Sequence, residues 1–156
     1  MRYSYPFEDS LIVLLRFSGA ERVPFEVSPE VPEYSATILA DFAKRLHGSC
    51  IKWHKELEVF RAKGERVAVF GAGHLAAKLI NFYELADLID CVIDDHPKKV
   101  GMLMPGSHLP IVSSAEMVSR GIQVCISTLS PESEIKVRNK LTSFFSGGGR
   151  FIPAFN

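Results

Sequence analysis

Apolar residues follow two different patterns along this chain. From position 35 to position 63 they recur at intervals of three and four, which predicts one long amphipathic helix. Ser35 is the predicted N-cap of this helix, and Gly64 is the residue predicted to end it. The apolar stripe of the helix consists of Leu39, Phe42, Leu46, Cys50, Trp53, Leu57 and Phe60. Such a stripe is typical of a helix that packs on a partner surface.

Beyond the helix, short continuous apolar runs alternate with helix-like segments. The predicted strands are Val67–Phe70, Ile89–Ile93, Ile111–Val112, Ile122–Ser127 and Arg150–Phe155. The predicted helices are His74–Leu85, Ser114–Arg120 and a third that begins at Ser130-Pro131 and ends at Gly147. Apolar strands that alternate with helices are typical of a parallel sheet covered on both faces. We therefore predict an α/β fold, a Rossmann-like three-layer domain with a mainly parallel sheet of about five strands over residues 35–156, led by helix 35–63.

Residues 1–34 follow neither pattern. Pro24, Pro29 and Pro32 lie close together and favour an extended chain. Ser10–Phe17 is the one candidate strand before them. We predict that this segment is an irregular N-terminal arm.

Charge and composition exclude several classes of partner. Eighteen basic and eighteen acidic residues balance, which argues against a nucleic-acid partner. No apolar run reaches the roughly 18–20 residues that span a bilayer. The block Leu11–Leu15 is too short for a signal peptide and follows Glu8 and Asp9. We therefore predict a cytoplasmic protein with no membrane partner. The three cysteines are odd in number and far apart, so no disulfide framework is predicted.

The segment from Val67 to Asp94 has the pattern of a nucleotide-binding βαβ unit. Gly71-Ala72-Gly73 follows the first strand of the sheet, and Asp94 ends the second. We predict that Gly71, Ala72, Gly73 and His74 hold a phosphate at the start of the following helix. Asp94 is predicted to accept a hydrogen bond from a ribose hydroxyl. The same turn also occurs in sheet domains that bind no ligand, so both interpretations remain open.

Neither a metal site nor a catalytic nucleophile is predicted. His47, Cys50 and His54 share one region of the long helix, but the first and last are separated by about 10.5 Å along the helix axis. Zinc bonds of about 2.0–2.3 Å need all ligand atoms around one ion. Asp94 and Asp95 are adjacent at the end of a strand and point in opposite directions, so they are not expected to share an ion.

Further motifs resemble the C-terminal domain of sugar C-methyltransferases and related SAM-dependent methyltransferases. The resemblance covers roughly residues 36–156, and its most specific part is the loop that ends at Pro110. The matching residues are Gly71-Ala72-Gly73, Asn81, Asp94, Lys99-Val100-Gly101, Pro105-Gly106-Ser107-His108-Leu109-Pro110 and Gly148-Gly149-Arg150-Phe151-Ile152. Members of that family often place a lysine close to the glycine turn, whereas Leu75 lies there in this chain and the nearest lysine along the helix is Lys78.

The resemblance implies a role as well as a fold. Family members combine a zinc-binding domain, a SAM-binding methyltransferase domain and a Rossmann-like C-terminal part that helps to hold a nucleotide sugar. This chain is then a nucleotide- or nucleotide-sugar-binding domain that is not catalytic on its own. No cofactor is assigned to it, and SAM is implied only for a missing domain or a catalytic methyltransferase partner chain. Gly106, Ser107 and His108 are expected on the far side of the ligand cleft.

Two other hypotheses remain. Gly71, Gly73 and Ala76 with Asp94 also fit an NAD(P)-binding, oxidoreductase-like domain, although no catalytic residue set follows. Alternatively, the domain is structural, and the apolar stripe of helix 35–63 forms a homodimer or docks on another chain.

Overall fold

The structure, a computed structural model, describes residues 36–154. Its helices and strands alternate beyond the first long helix. The helices are α1 (Ala36–Ala62), α2 (His74–Phe82), α3 (Pro131–Lys140) and α4 (Thr142–Ser146), and short 3₁₀ segments lie at Ala86–Leu88 and Ser114–Glu116. The strands are β1 (Arg66–Phe70), β2 (Cys91–Ile93), β3 (Ile111–Val112), β4 (Ile122–Ser127) and β5 (Arg150–Pro153).

The five strands form one sheet in the order β3-β2-β1-β4-β5, and every pair is parallel. Ala68 in β1 is in register with Cys91 on one side and with Cys125 on the other. The chain builds outward from β1 through β2 to β3 and then crosses to the opposite side for β4 and β5. This is the Rossmann-like layout that the sequence predicts.

Each face of the sheet has its own apolar core, which is why the strands lack a polar alternation. Val67 and Val69 face the core that α1 and α2 cover. Ala68 and Phe70 face the second core, where Phe144 of α4 and Phe151 of β5 pack. Helices on both faces make the three-layer arrangement.

Only the C-terminal half of α1 packs into the described core. Trp53 and Leu57 are buried, whereas Leu39 and Phe42 are each 58% exposed. The Cys50 thiol and the His54 Nε2–H both donate to the carbonyl oxygen of Tyr83, at 3.6 and 2.7 Å, and so attach α1 to the end of α2. The spacing of Cys50 and His54 therefore serves a helix contact. The helix ends before Gly64, which has a φ of +75°.

The three helices predicted after α1 have wrong boundaries, the strand predicted to begin at Ile89 begins at Cys91, and the strand predicted to reach Phe155 ends at Pro153. The segment Ser114–Arg120 is a single 3₁₀ turn at Ser114–Glu116 followed by turns, with a capping box between Ser113 and Glu116. The third predicted helix is divided between α3 and α4, because Leu141 leaves helical geometry with its side chain buried. The helix predicted to reach Leu85 ends at Phe82, and Glu84 beyond it has a left-handed φ of +54°.

Parts of the prediction lie outside the described residues. The arm 1–34, its candidate strand Ser10–Phe17 and the N-cap Ser35 are among them, and the domain boundary at position 34 stays a prediction. Between residues 36 and 154, no helix combines the length and the apolar character that crossing a membrane requires.

Candidate functional site

A crevice opens at the carboxyl ends of β1 and β4. These two strands lie side by side, but the chain leaves β1 toward β2 and leaves β4 toward β5. Ligands of open α/β sheets bind where successive connections diverge in this way. The crevice contains a cleft of about 220 Å³, which we call the turn cleft, lined by Gly71, Gly73, His74, Leu75, Asp94, Lys99, Thr128 and Leu129.

Gly71 shapes the turn at the base of this cleft. Its φ is +99°, and a Cβ atom at this position would lie 2.9 Å from Thr128 Oγ1 and 3.1 Å from Leu129 Cδ2. The Thr128 hydroxyl donates to the carbonyl oxygens of Phe70, at 2.8 Å, and Gly71, at 3.1 Å. Glycine is therefore needed both for the backbone conformation and for the close approach of β4.

The N-terminus of α2 supplies uncapped backbone donors to the turn cleft. The N-cap residue is Gly73, which has no side chain to cap the helix, and the first intrahelical bond runs from Ala77 N–H to Gly73 O at 3.1 Å. The N–H groups at positions 74, 75 and 76 consequently have no partner within the helix. Together with the helix dipole they favour an anion at this position, and phosphate binding by His74 and its neighbours stays a prediction.

Asp94 ends β2 and is bound to the glycine turn. Its Oδ2 accepts from Ala72 N–H and from Lys99 Nζ, both at 2.9 Å, and its Oδ1 accepts from His96 N–H at 2.8 Å. Burial raises the pKa of Asp94, but the hydrogen bonds from Lys99, His96 and Ala72 lower it by more, so that the net pKa is below the usual value. Asp94 is therefore ionised at neutral pH and occupies the Ala72 N–H group itself.

The predicted phosphate donors therefore fall into two groups, one that Asp94 already occupies and one that is open. The Ala72 N–H group would become available to a phosphate only if Asp94 moved. The N–H groups at the start of α2 need no such movement. The predicted ribose contact of Asp94 would use the lone pairs that its present donors leave open, and it stays a prediction.

Asp95 faces the opposite side of the sheet from Asp94. Its carboxylate accepts from the N–H and the hydroxyl of Ser114, both at 2.8 Å, and from Lys140 Nζ at 2.7 Å. Burial raises its pKa, and these partners lower it to a net value below the usual one. The two adjacent carboxylates thus form two separate sites, as expected. Within residues 36–154, no three His, Cys, Asp or Glu side chains are grouped so that they could hold a metal ion.

The structure does not bring Gly106, Ser107 and His108 to the turn cleft. The chain from Met102 to Ile111 forms a hairpin, with Leu103 and Pro110 paired antiparallel. At its tip Gly106 has a φ of +83°, and a Cβ atom there would lie 2.6 Å from the Asn81 amide nitrogen near the end of α2. Asn81 in turn donates to the Pro105 carbonyl oxygen at 3.0 Å. Ligand binding by these three residues stays a prediction.

The family described as the C-methyltransferase C-terminal domain matches residues 30–155. The chain belongs to this family. The match confirms the resemblance that the glycine turn and the Pro105–Pro110 loop indicate.

No curated protein matches this C-methyltransferase C-terminal domain. Among solved structures, UDP-D-quinovosamine 4-dehydrogenase from Vibrio fischeri is similar to it, with 17% sequence identity and a TM-score of 0.45. That alignment covers 57% of this chain and 76% of the dehydrogenase chain. A likeness of this size supports no transfer of function.

Lys99 and Thr128 are polar residues of the turn cleft for which the sequence did not predict a ligand contact. Lys99 lies five residues after Asp94, and its ammonium group donates to Asp94 Oδ2, the oxygen that also accepts from Ala72 N–H in the glycine turn. Thr128 follows a buried strand and carries no motif of its own, so only the pairing of β1 with β4 reveals its contact with Gly71. Two signals in the sequence pointed to Lys99: its position five residues after the aspartate that ends β2, and its place in the motif Lys99-Val100-Gly101.

Proposed function

We propose that this C-methyltransferase C-terminal domain binds the diphosphate and ribose of a nucleotide sugar in the turn cleft and is not catalytic on its own. The observation that carries the proposal is the convergence of uncapped N–H groups of α2, the Lys99 ammonium and the Asp94 carboxylate on one cleft. The first two favour a phosphate, and a carboxylate beside them suits a ribose hydroxyl. Family membership supports a nucleotide sugar over other phosphate esters.

In this proposal each residue has a limited task. Gly73 leaves the backbone open to a phosphate, and the N–H groups at positions 74 to 76 donate to its oxygens. Lys99 rotates from Asp94 toward the phosphate, because an ammonium group on a flexible stem can change partners with little cost. Methyl transfer from SAM belongs to a catalytic domain or partner chain, for which this domain positions the substrate.

Lys99→Met tests the proposal, with Lys140→Met as the matched control. Each lysine forms an ion pair with one of the two adjacent aspartates, but only Lys99 lines the turn cleft. Binding of UDP, dTDP and their sugars is measured by isothermal titration calorimetry on the whole chain. We expect Lys99→Met to weaken diphosphate binding by about tenfold or more, the effect of losing a hydrogen bond between charged groups. Lys140→Met should bind as the unsubstituted chain does.

Absence of binding by every nucleoside diphosphate would refute the proposal, as would an equal loss in both lysine variants. A thermal-shift series with NAD, NADP and SAM tests the alternatives. A ligand at 100 times its dissociation constant stabilises a domain by about 2.7 kcal/mol, which is readily detected. Stabilisation by NAD or NADP alone would favour the oxidoreductase-like hypothesis. The order of β1, the glycine turn, α2 and Asp94 also fits that hypothesis.

A further inference from the structure

A second cleft adjoins the turn cleft at the carboxyl ends of β4 and β5. It has a volume of about 450 Å³ and shares Leu75, Thr128 and Leu129 with the turn cleft. This size lies within the range of about 300–1,000 Å³ that small-molecule sites have. We call it the Glu134 cleft. A ligand whose phosphate lies at the start of α2 can therefore extend into it.

The walls of the Glu134 cleft are mainly apolar. Leu75 of α2 and Ile135 of α3 are 37% and 61% exposed, and Pro131 and Pro153 complete the apolar lining. Apolar walls of this kind suit the C–H faces of a sugar ring, whereas the hydroxyl groups of the ring need polar partners.

Glu134 is the charged residue among those that line this cleft. Its side chain is 20% exposed, and its Oε1 accepts from Arg138 Nε at 2.8 Å. Burial raises the pKa of Glu134, but the Ser127 hydroxyl and Arg138 lower it by more, and the carboxylate is ionised at neutral pH. The Arg138 guanidinium lies over the rings of Phe145 and Phe151, 5.2 Å from each centroid, and these rings belong to the second core, against which α3 packs.

We propose that the Glu134 cleft holds the glycosyl group of the nucleotide sugar and that Glu134 selects uncharged glycosyl groups against glycuronates. This inference rests on the proposed function of the turn cleft. A sugar hydroxyl can donate a charge-assisted hydrogen bond to Glu134. A carboxylate on the sugar would instead meet a like charge at a partly desolvated position, with Arg138 already engaged.

The test compares glucose with glucuronate carried on UDP or dTDP, whichever nucleoside diphosphate the chain binds. These two sugars differ only at C6, where one has CH₂OH and the other a carboxylate. Dissociation constants are measured for the unsubstituted chain, for Glu134→Gln and for Glu132→Gln. Glu132 is the matched control, because it lies in the same first turn of α3 but is exposed and does not line the cleft.

We expect the unsubstituted chain and Glu132→Gln to bind the glucose conjugate about tenfold more tightly than the glucuronate conjugate, a difference of about 1.4 kcal/mol. Glu134→Gln should reduce this ratio to near one, chiefly by improving binding of the glucuronate. Equal binding of both conjugates by the unsubstituted chain would overturn the inference, as would a ratio that Glu134→Gln leaves unchanged. In both cases binding of the nucleoside diphosphate itself would still support the proposed function. Absence of binding by every nucleoside diphosphate would refute both proposals together.

Discussion

The two glycines of the turn have different tasks at the scale of single residues. Gly71 combines a φ of +99° with two close approaches from Thr128 and Leu129, whereas Gly73 has a φ of −115° and open space around the position of a Cβ atom. We expect Gly71→Ala to lower the free energy of unfolding by about 1–3 kcal/mol, because alanine is strained at positive φ and its methyl group meets Thr128. Urea unfolding followed by circular dichroism measures this change.

Gly73→Ala is the control for the turn. It should change stability by less than about 1 kcal/mol, since an alanine N-cap only modestly disfavours the helix. Its methyl group would stand at the entry to the N–H groups of α2 and should weaken diphosphate binding. Equal destabilisation by the two substitutions would contradict this division of tasks.

Helix α1 uses its apolar stripe unevenly at the scale of secondary-structure elements. Leu57 is completely buried, whereas Leu39, on the same predicted stripe, is 58% exposed. We expect Leu57→Ala to cost about 2–5 kcal/mol of stability, the range for buried leucines. Leu39→Ala should cost less than about 0.5 kcal/mol, as is usual for surface positions. Thermal unfolding of both variants tests the difference.

The hypothesis that α1 binds a second copy or a partner chain depends on the same difference in burial along the helix. Trp53 and Leu57 are committed to the core of the domain itself, so substitutions there would test folding rather than association. Leu39 and Phe42 are the exposed positions of the stripe, and contact of these residues with a second copy or a partner chain stays a prediction. A large loss of stability in Leu39→Ala would show that this end of the helix is packed in solution.

At the scale of the whole molecule, Asp94 and Asp95 link the end of β2 to both faces of the sheet. Both have pKa values below the usual one, because the bonds from their partners outweigh burial. A carboxylate with a lowered pKa in the folded state stabilises the protein above its unfolded pKa, and this stabilisation is lost as the pH falls through the lowered value. Acidification below about pH 4 should therefore destabilise the domain through these two groups.

The substitution Asp94→Asn measures this contribution. At neutral pH we expect it to reduce stability by about 1.5–3 kcal/mol, the range for hydrogen bonds to charged groups. The difference in unfolding free energy between the unsubstituted chain and Asp94→Asn should shrink below about pH 4, where the aspartate itself becomes protonated. A difference that stayed constant from neutral to acid pH would contradict the ionised state of Asp94.

The sequence by itself determined the elements of the sheet and the position of the glycine turn. The strand Ile122–Ser127 and the helix start at Ser130-Pro131 agree with prediction, because apolar runs and capping residues act over a few neighbouring positions. The predicted turn residues Gly71, Gly73 and His74 line one cleft with Asp94, because a βαβ unit places strand ends and a helix start at one edge of the sheet.

Contacts between residues distant along the chain were decided only by the tertiary structure. The loop after β2 brings Lys99 to the turn cleft but carries Gly106 to Asn81, because the hairpin pairing of Leu103 with Pro110 directs its path. Thr128 and Glu134 acquire their positions through the pairing of β4 with β1 and the packing of α3 over the second core. The periodicity of apolar residues indicates which face of an element is buried, but it does not indicate which loops and strands pack against that face.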